Sequence, residues 1–226
     1  MAARELVLMV EGDSEAASVP GLVHRLLDGC NGHDALYVGT TMRVGGLQNL
    51  VHAGSEERWL RFLHRAALKP NLGAVLLLLD GDTKARHPLR TSEGEKVFCA
   101  RTLAGLLARL AERHTEAGKQ FSVAVVFARQ EFESWLLAGC PELASRLAGT
   151  VSHPEEAPRD AKGRIAELTG VPYKETTHQP HYTRRLDVDV LLNRVPKMRS
   201  FHRMQHAMQQ LTEAARSGRH VCTPQG

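Results

Sequence analysis

Aromatic residues make up only 5% of this 226-residue chain, which leaves little from which to build a surface that stacks successive bases. The four cysteines, Cys30, Cys99, Cys140 and Cys222, are far apart. The absence of a Cys-x-x-Cys knuckle argues against a zinc ribbon, and in a reducing compartment they read as small apolar core residues. No apolar run exceeds Ala74 to Leu79, far short of the roughly 20 residues a membrane span requires. The opening MAARELVLMVEGD is interrupted at once by acidic residues and lacks a signal-peptide layout, so a cytoplasmic, bacterial-type protein is expected. A phosphate-cradling loop of the G-x-x-x-x-G-K-[ST] kind is also missing, and Val44-Gly45-Gly46-Leu47 is too weak to replace it. There is no internal repeat and no low-complexity tract.

Hydrophobic residues are 42% and charged residues 24% of the chain, ordinary values for a globular protein. The formal charge of +4 is unevenly spread. From residue 159 onward there are 12 basic and 6 acidic residues, whereas the preceding part has 17 basic and 19 acidic. An acidic front with a basic tail suits a cation site beside a polyanion-binding surface; a solvated helical face is the plainer alternative.

Four apolar runs read as strands: Glu5–Val10, Ala35–Val44, Gly73–Leu79 and Phe121–Phe127. Their weak alternation indicates burial on both faces, as in parallel sheets. Between them lie helical patterns at Ser18–Leu27, Glu56–Leu68 and Glu93 to about Glu116, the last opened by Ser92 and Glu95 at capping-box spacing. A further helix is expected over Gln130–Leu147, interrupted near Gly139-Cys140-Pro141. Strand and helix in alternation predict an open, mainly parallel α/β sheet of about four strands. After a Pro-rich, charged linker at His153–Asp160 only short helices are expected, ending in a frayed tail from Ser217. The expected division is therefore a core over 1–150 and a basic, mainly helical extension over 151–226.

Carboxylates fall at the ends of these strands. Glu11, Asp13 and Glu15 follow the first, Asp80 and Asp82 the third, and Glu131 and Glu133 the fourth. Ligands of open α/β sheets bind at the carboxyl ends of the strands, so three segments deliver acidic side chains to one edge. Such a cluster repels itself unless a cation intervenes, and carboxylate oxygens suit Mg²⁺ or Mn²⁺. Each piece also has a plainer use: Glu11 to Glu15 as a helix cap, Asp80-Gly81-Asp82 as a turn, Glu131 and Glu133 as complements to a helix dipole. In a helix those two glutamates would point about 200° apart, so only one is expected to face the site.

Val10-Glu11-Gly12 with Glu15, followed by Asp80-Gly81-Asp82 after an apolar strand, resembles the Toprim domain of topoisomerases, primases and overcoming-lysogenization-defect (OLD) nucleases. Glu131-Phe132-Glu133-Ser134-Trp135-Leu136-Leu137-Ala138 resembles a segment of the domain-of-unknown-function 4276 family, a Toprim-like group. So do Asp160-Ala161-Lys162-Gly163, Tyr173-Lys174-Glu175-Thr176, Leu186-Asp187-Val188-Asp189 and Arg199-Ser200-Phe201-His202-Arg203. The likeness runs from about residue 6 to residue 211. Gly139 departs from it where an acidic residue is expected, and His178 where an aspartate is usual.

The resemblance implies a metal-dependent nuclease of DNA or RNA, often encoded beside an ATPase in bacterial anti-phage systems. In two-metal hydrolysis one ion activates water and the other stabilises the leaving oxygen. Asp80 and Asp82 would then be the principal ligands, with Glu11 as ligand or general acid/base, and Glu15 and Glu131 or Glu133 completing the shells. Arg129, Lys84 and Arg86 are candidates to stabilise developing phosphate charge. Lys162, Arg184, Arg185, Arg194, Lys197, Arg199 and Arg203 are candidates for the phosphate backbone. The partners implied are nucleic acid and an ATPase, with no membrane and with homo-oligomerisation left open. The rival reading is a non-catalytic Toprim-like subunit that docks an ATPase or acts as a sensor. His202 and His206, lacking further ligands nearby, read as surface residues.

Overall fold

The computed structural model describes residues 2–51, 56–81, 89–90, 96–97, 99–147, 160–193 and 198–225. Asp82, Lys84, Arg86, Arg194 and Lys197 lie outside the described residues, as do Ser92 and Glu95.

Three inner strands carry the core: β1 (Arg4–Val10), β3 (Leu72–Asp80) and β6 (Ser122–Ala128), and none of their residues is exposed. This double-sided burial is why their sequences show little alternation. β2 (Leu36–Arg43) is an edge strand whose exposed Tyr37, Gly39 and Arg43 break the apolar run. A short β7 (Cys222–Thr223) closes the other edge, and the order is β2-β1-β3-β6-β7 with every pair parallel. A separate two-stranded ribbon joins β4 (Leu89–Arg90) to β5 (Lys96–Val97) antiparallel.

The sheet thus has five strands rather than about four. The additional one comes from the tail that was expected to fray: Cys222 pairs with Val123 and Thr223 with Ala124. A two-residue strand, one apolar and one polar, carries no periodic signal, so only tertiary packing reveals it.

Helices cover both faces. On one side Leu6, Leu8, Val10, Leu76, Leu78 and Val126 pack against α1 (Asp13–Gly29), α5 (Glu133–Gly139) and α10 (Arg199–Ser217). On the other, Val7, Met9, Val75, Leu77 and Phe127 meet the short α2 (Gln48–Val51), α3 (Glu56–Ala67) and α4 (Ala100–His114). Each core holds one fully buried tryptophan whose indole N–H is satisfied: Trp135 donates to Ser200 Oγ at 2.8 Å, and Trp59 to the Leu107 carbonyl at 2.9 Å. The helix expected from Glu93 begins only at Ala100, because Lys96 and Val97 are extended.

The helix expected over Gln130–Leu147 is two, α5 and then α6 (Pro141–Leu147), broken at Cys140 where Pro141 follows. Beyond residue 160 come α7 (Ala161–Thr169), α8 (Glu175–Arg185) and α9 (Val188–Asn193). α8 packs on α1, and α7 and α9 on α5. Among the described residues no helix is long and apolar enough to cross a membrane.

Candidate functional site

From β1 the chain crosses to β2 on one side, while β3 lies on the other. The crevice where the winding reverses therefore opens above the carboxyl ends of β1 and β3. Val10 stands opposite Leu78, so Glu11 leaves β1 level with Leu79, one residue before Asp80 at the end of β3. The Glu11 carboxylate accepts the Asp80 backbone N–H. It also lies against Gly46, where a Cβ would come within 2.9 Å of Glu11 Oε1.

Asp80 Oδ1 accepts the Phe132 N–H at 2.8 Å, tying β3 to the turn between β6 and α5. That turn is tight. The Gly81 N–H donates to the Ala128 carbonyl at 2.6 Å, and a Cβ on Gly81 would sit 2.6 Å from the same oxygen. Gln130 has a left-handed backbone, φ 65°, a conformation that costs a non-glycine residue on the order of 1 kcal/mol. The turn swings Glu131 and Glu133 over the end of β3.

The two glutamates are not rivals on one helix face, as the helical reading expected. α5 begins only at Glu133, and both side chains are buried, 3% and 1% exposed. Glu131 Oε2 accepts the Ala161 N–H at 3.0 Å and so anchors the start of α7. Glu133 Oε1 accepts the Tyr173 hydroxyl at 3.0 Å, while its Oε2 is buried with no hydrogen-bond partner among the described residues.

The segment Asp160-Ala161-Lys162-Gly163 has a clear local logic. Asp160 caps α7 by accepting the Gly163 N–H at 2.9 Å, and a Cβ on Gly163 would collide with that carboxylate. Ala161 meets Glu131, which turns Lys162 toward the carboxylates. Lys162 Nζ donates to Glu175 Oε1 at 2.6 Å. Glu15, in the first turn of α1, accepts the Gly12 N–H at 3.0 Å and the buried Gln179 amide at 2.9 Å. It therefore serves the helix cap and the site together.

The electrostatics follow from burial and crowding. Burial raises the Asp80 carboxyl well above its ordinary value, the charges of Glu133, Glu11 and Glu15 add to the rise, and the Phe132 N–H opposes it. Glu11 is raised by burial and by Glu15, against the Asp80 N–H and Lys162. Burial pushes Glu133 up to about 7 despite the attraction of Lys162. Burial alone would lower the Lys162 ammonium, but Glu133, Glu175 and Asp80 override it and hold the proton more tightly. Burial and the charge of Glu133 keep the Tyr173 hydroxyl protonated.

The structure thus gathers Glu11, Glu15, Asp80, Glu131 and Glu133 around one crevice. It adds Lys162, Tyr173, Glu175 and Gln179, which sequence reasoning did not place there. Tyr173 and Glu175 lay in a quoted motif, but nothing in their spacing relates them to Glu133, 40 residues or more away. Among the described residues no group of three or more His, Cys, Asp or Glu side chains is arranged to hold a metal ion.

The other candidates lie apart. Arg129 is exposed just after β6. Arg184 and Arg185 are exposed at the end of α8, where Arg185 bonds the His181 ring at 2.9 Å. Arg199 and Arg203 are exposed in the first turns of α10.

Both departures from the family pattern have local causes. A Cβ on Gly139 would come within 2.5 Å of Leu191 Cγ, so α9 packs where an acidic side chain would stand. His178 Nδ1 accepts the Lys174 N–H at 2.9 Å and so caps the start of α8.

Fold and site define a doubly wound parallel α/β protein with a buried acidic cluster at its switch point. The chain matches the family model described as "Domain of unknown function (DUF4276)" over residues 10–205, and it belongs to that family. No curated protein and no solved structure matches it.

Proposed function

We propose that the protein is a metal-dependent nuclease, hydrolysing phosphodiester bonds of DNA or RNA on a Toprim-like core. The observation that carries this reading is the convergence of Glu11, Asp80 and Glu133 from three strand ends, with Glu133 Oε2 buried and unpartnered among the described residues. An acceptor of that kind calls for a positive partner, and an all-carboxylate donor set fits a hard divalent cation such as Mg²⁺ or Mn²⁺. Asp80 would be the central donor, with Glu11 and Glu133 turning toward it to hold the cation, since among the described residues no three carboxylates stand arranged for one. The set is incomplete without a further ligand, for which Asp82 is the proposed donor and Glu15 the reserve. Bound there, the metal would supply charge neutralisation at the phosphate and an activated water, with two ions as the fullest form.

The chain's own groups have distinct tasks. Tyr173 fixes the orientation of Glu133, and Gln179 that of Glu15. Lys162 offsets part of the cluster's negative charge from within, so its proposed role moves from backbone contact to the site itself. Arg129 and Lys84 are proposed to meet the scissile phosphate. Arg184, Arg185, Lys197, Arg199 and Arg203 are proposed to track the backbone. Service as the effector of an anti-phage system with an ATPase partner rests on the resemblance to OLD-type nucleases and belongs to the same proposal.

Purified protein incubated with plasmid DNA or structured RNA is expected to cleave one of them in Mg²⁺ or Mn²⁺, and Asp80→Asn to abolish cleavage. Absence of cleavage in either metal, or an Asp80→Asn protein as active as the parent, overturns the assignment. One observation favours the second reading, a non-catalytic subunit: Lys162 already provides an internal counter-ion for the carboxylates. That reading expects stable metal-free folding and partner binding that Asp80→Asn leaves unchanged.

A further inference from the structure

β7 covers only the beginning of the β6 edge. Its two residues pair with Val123 and Ala124, and Pro224, which has no N–H, follows. β6 continues to Ala128, and among the described residues no further strand flanks it from Val125 onward. This open edge lines a notch of about 360 Å³ between α4 and α10. Val125, Val126, Phe127, Ala104 and Ala207 supply its apolar lining. Arg101 from α4 and His202, Arg203 and His206 from α10 also line it, and no described lining residue is acidic. His202 Nε2 is buried without a hydrogen-bond partner among the described residues.

An uncovered strand edge presents main-chain groups to another backbone, and β-augmentation uses such edges for affinity while side-chain pockets select the sequence. We propose that the notch is a docking site for an extended acidic peptide of a partner protein, which adds a short strand to β6 where β7 stops. The apolar lining takes side chains on one face of that strand, and Arg101 and Arg203 meet carboxylates at the rim. Two features disfavour nucleic acid here: the space is too small for a duplex, and Phe127, only 5% exposed as a residue, offers no stacking face. Neither Glu11, Asp80 nor Glu133 lines the notch, so the inference does not depend on the chemistry of the carboxylate site. Arg203, proposed above for phosphate contact, sits on this rim, and the test therefore separates the two roles.

The probe is a capped octapeptide alternating valine and glutamate, titrated calorimetrically into the full chain. The comparators are a valine–lysine counterpart, a version N-methylated at alternate residues, and a twelve-nucleotide single strand. The acidic peptide is expected to bind with a Kd below about 1 mM, the lysine peptide not to bind, and N-methylation to weaken binding at least about tenfold. The Arg101→Glu/Arg203→Glu variant, with Arg101→Ala/Arg203→Ala as the gentler form, is expected to weaken the acidic peptide at least about tenfold. Lack of acidic-peptide binding overturns the proposal. So does equal binding of the N-methylated peptide, or an acidic-peptide affinity that both double variants leave unchanged. Binding of the oligonucleotide, but not the peptide, that is lost in the variants reassigns the rim to phosphate.

Discussion

Replacing Glu133 by Gln removes a buried carboxylate whose second oxygen has no partner among the described residues. Burial raises Glu133 from an ordinary 4.5 to about 7. Below about pH 4.5 the group is protonated in the folded and unfolded chains alike and costs nothing. Between 4.5 and about 7 the unfolded chain gives up the proton while the folded one retains it, so the folded state loses stability as pH rises; above about 7 the loss is complete. The interval from 4.5 to about 7, at roughly 1.4 kcal/mol per unit, amounts to roughly 3 kcal/mol.

Gln retains an Oε1 that accepts the Tyr173 hydroxyl but carries no charge. The loss of attraction to Lys162 reduces the gain, while Glu175 still holds that ammonium. In urea titrations with chelator present, followed through Trp59 and Trp135, Glu133→Gln is expected to match the parent near pH 4.5. It should exceed the parent by up to roughly 3 kcal/mol above pH 7. Comparing variant with parent cancels the groups that do not interact with Glu133; Asp80, which the Glu133 charge raises, is eased in the variant and adds to the gain. A difference that does not change with pH would refute the electrostatic account. A variant less stable than the parent above pH 7 would show that Lys162 outweighs burial.

Mg²⁺ or Mn²⁺ is expected to raise the parent's Tm by binding the native state, and Asp80→Ala to abolish that rise while leaving the circular dichroism spectrum intact; an unchanged rise places the ion elsewhere. Gly139→Asp, which would supply the family's expected carboxylate, is expected to destabilise by at least about 3 kcal/mol in thermal unfolding, because it collides with Leu191 and buries a charge. Asp160→Ala is expected to cost about 1 kcal/mol through loss of the α7 cap, visible in the same assay. Replacing Arg184 and Arg185 together by Ala is expected to flatten the dependence of log affinity on log salt for nucleic acid by about one to two units; a slope like the parent's removes these residues from the interface.

The parts of this architecture legible from sequence are those with one dominant physical cause. Short continuous apolar runs bounded by turn residues, such as Leu76-Leu77-Leu78-Leu79 before Asp80-Gly81, suit strands buried on both faces, so β1, β3 and β6 fall within a residue or two of their expected bounds. Strand ends then fix where Glu11 and Asp80 emerge. What remained hidden depends on contacts between distant segments. Cys222 and Thr223 become a strand only because β6 offers an edge. The start of α4 follows from the extended Lys96-Val97, against local capping signals at Ser92 and Glu95. Glu131 and Glu133 share a side because the Gln130 turn delays the helix, which a periodicity argument cannot see.

Lys162 shows why the crevice cannot be understood from strand ends alone. The strands supply negative charge at Glu11, Asp80 and Glu133, and isolated they would resist ionisation together. The segment after residue 160 then brings an ammonium, a phenol and an amide onto those carboxylates, each through a short local device: the Asp160 cap, the His178 cap and the burial of Gln179. Because Glu131 also accepts the Ala161 N–H, the turn that presents Glu133 and the helix that presents Lys162 are fastened to each other. The counter-charge therefore cannot leave the site without freeing a buried carboxylate, and a cation entering from solvent meets a cluster whose charge is only partly uncompensated. If the crevice holds metal as proposed, Lys162 would set its affinity below that of a bare carboxylate set, and Lys162→Met is expected to enlarge the metal-induced rise in Tm; a rise equal to the parent's would refute this.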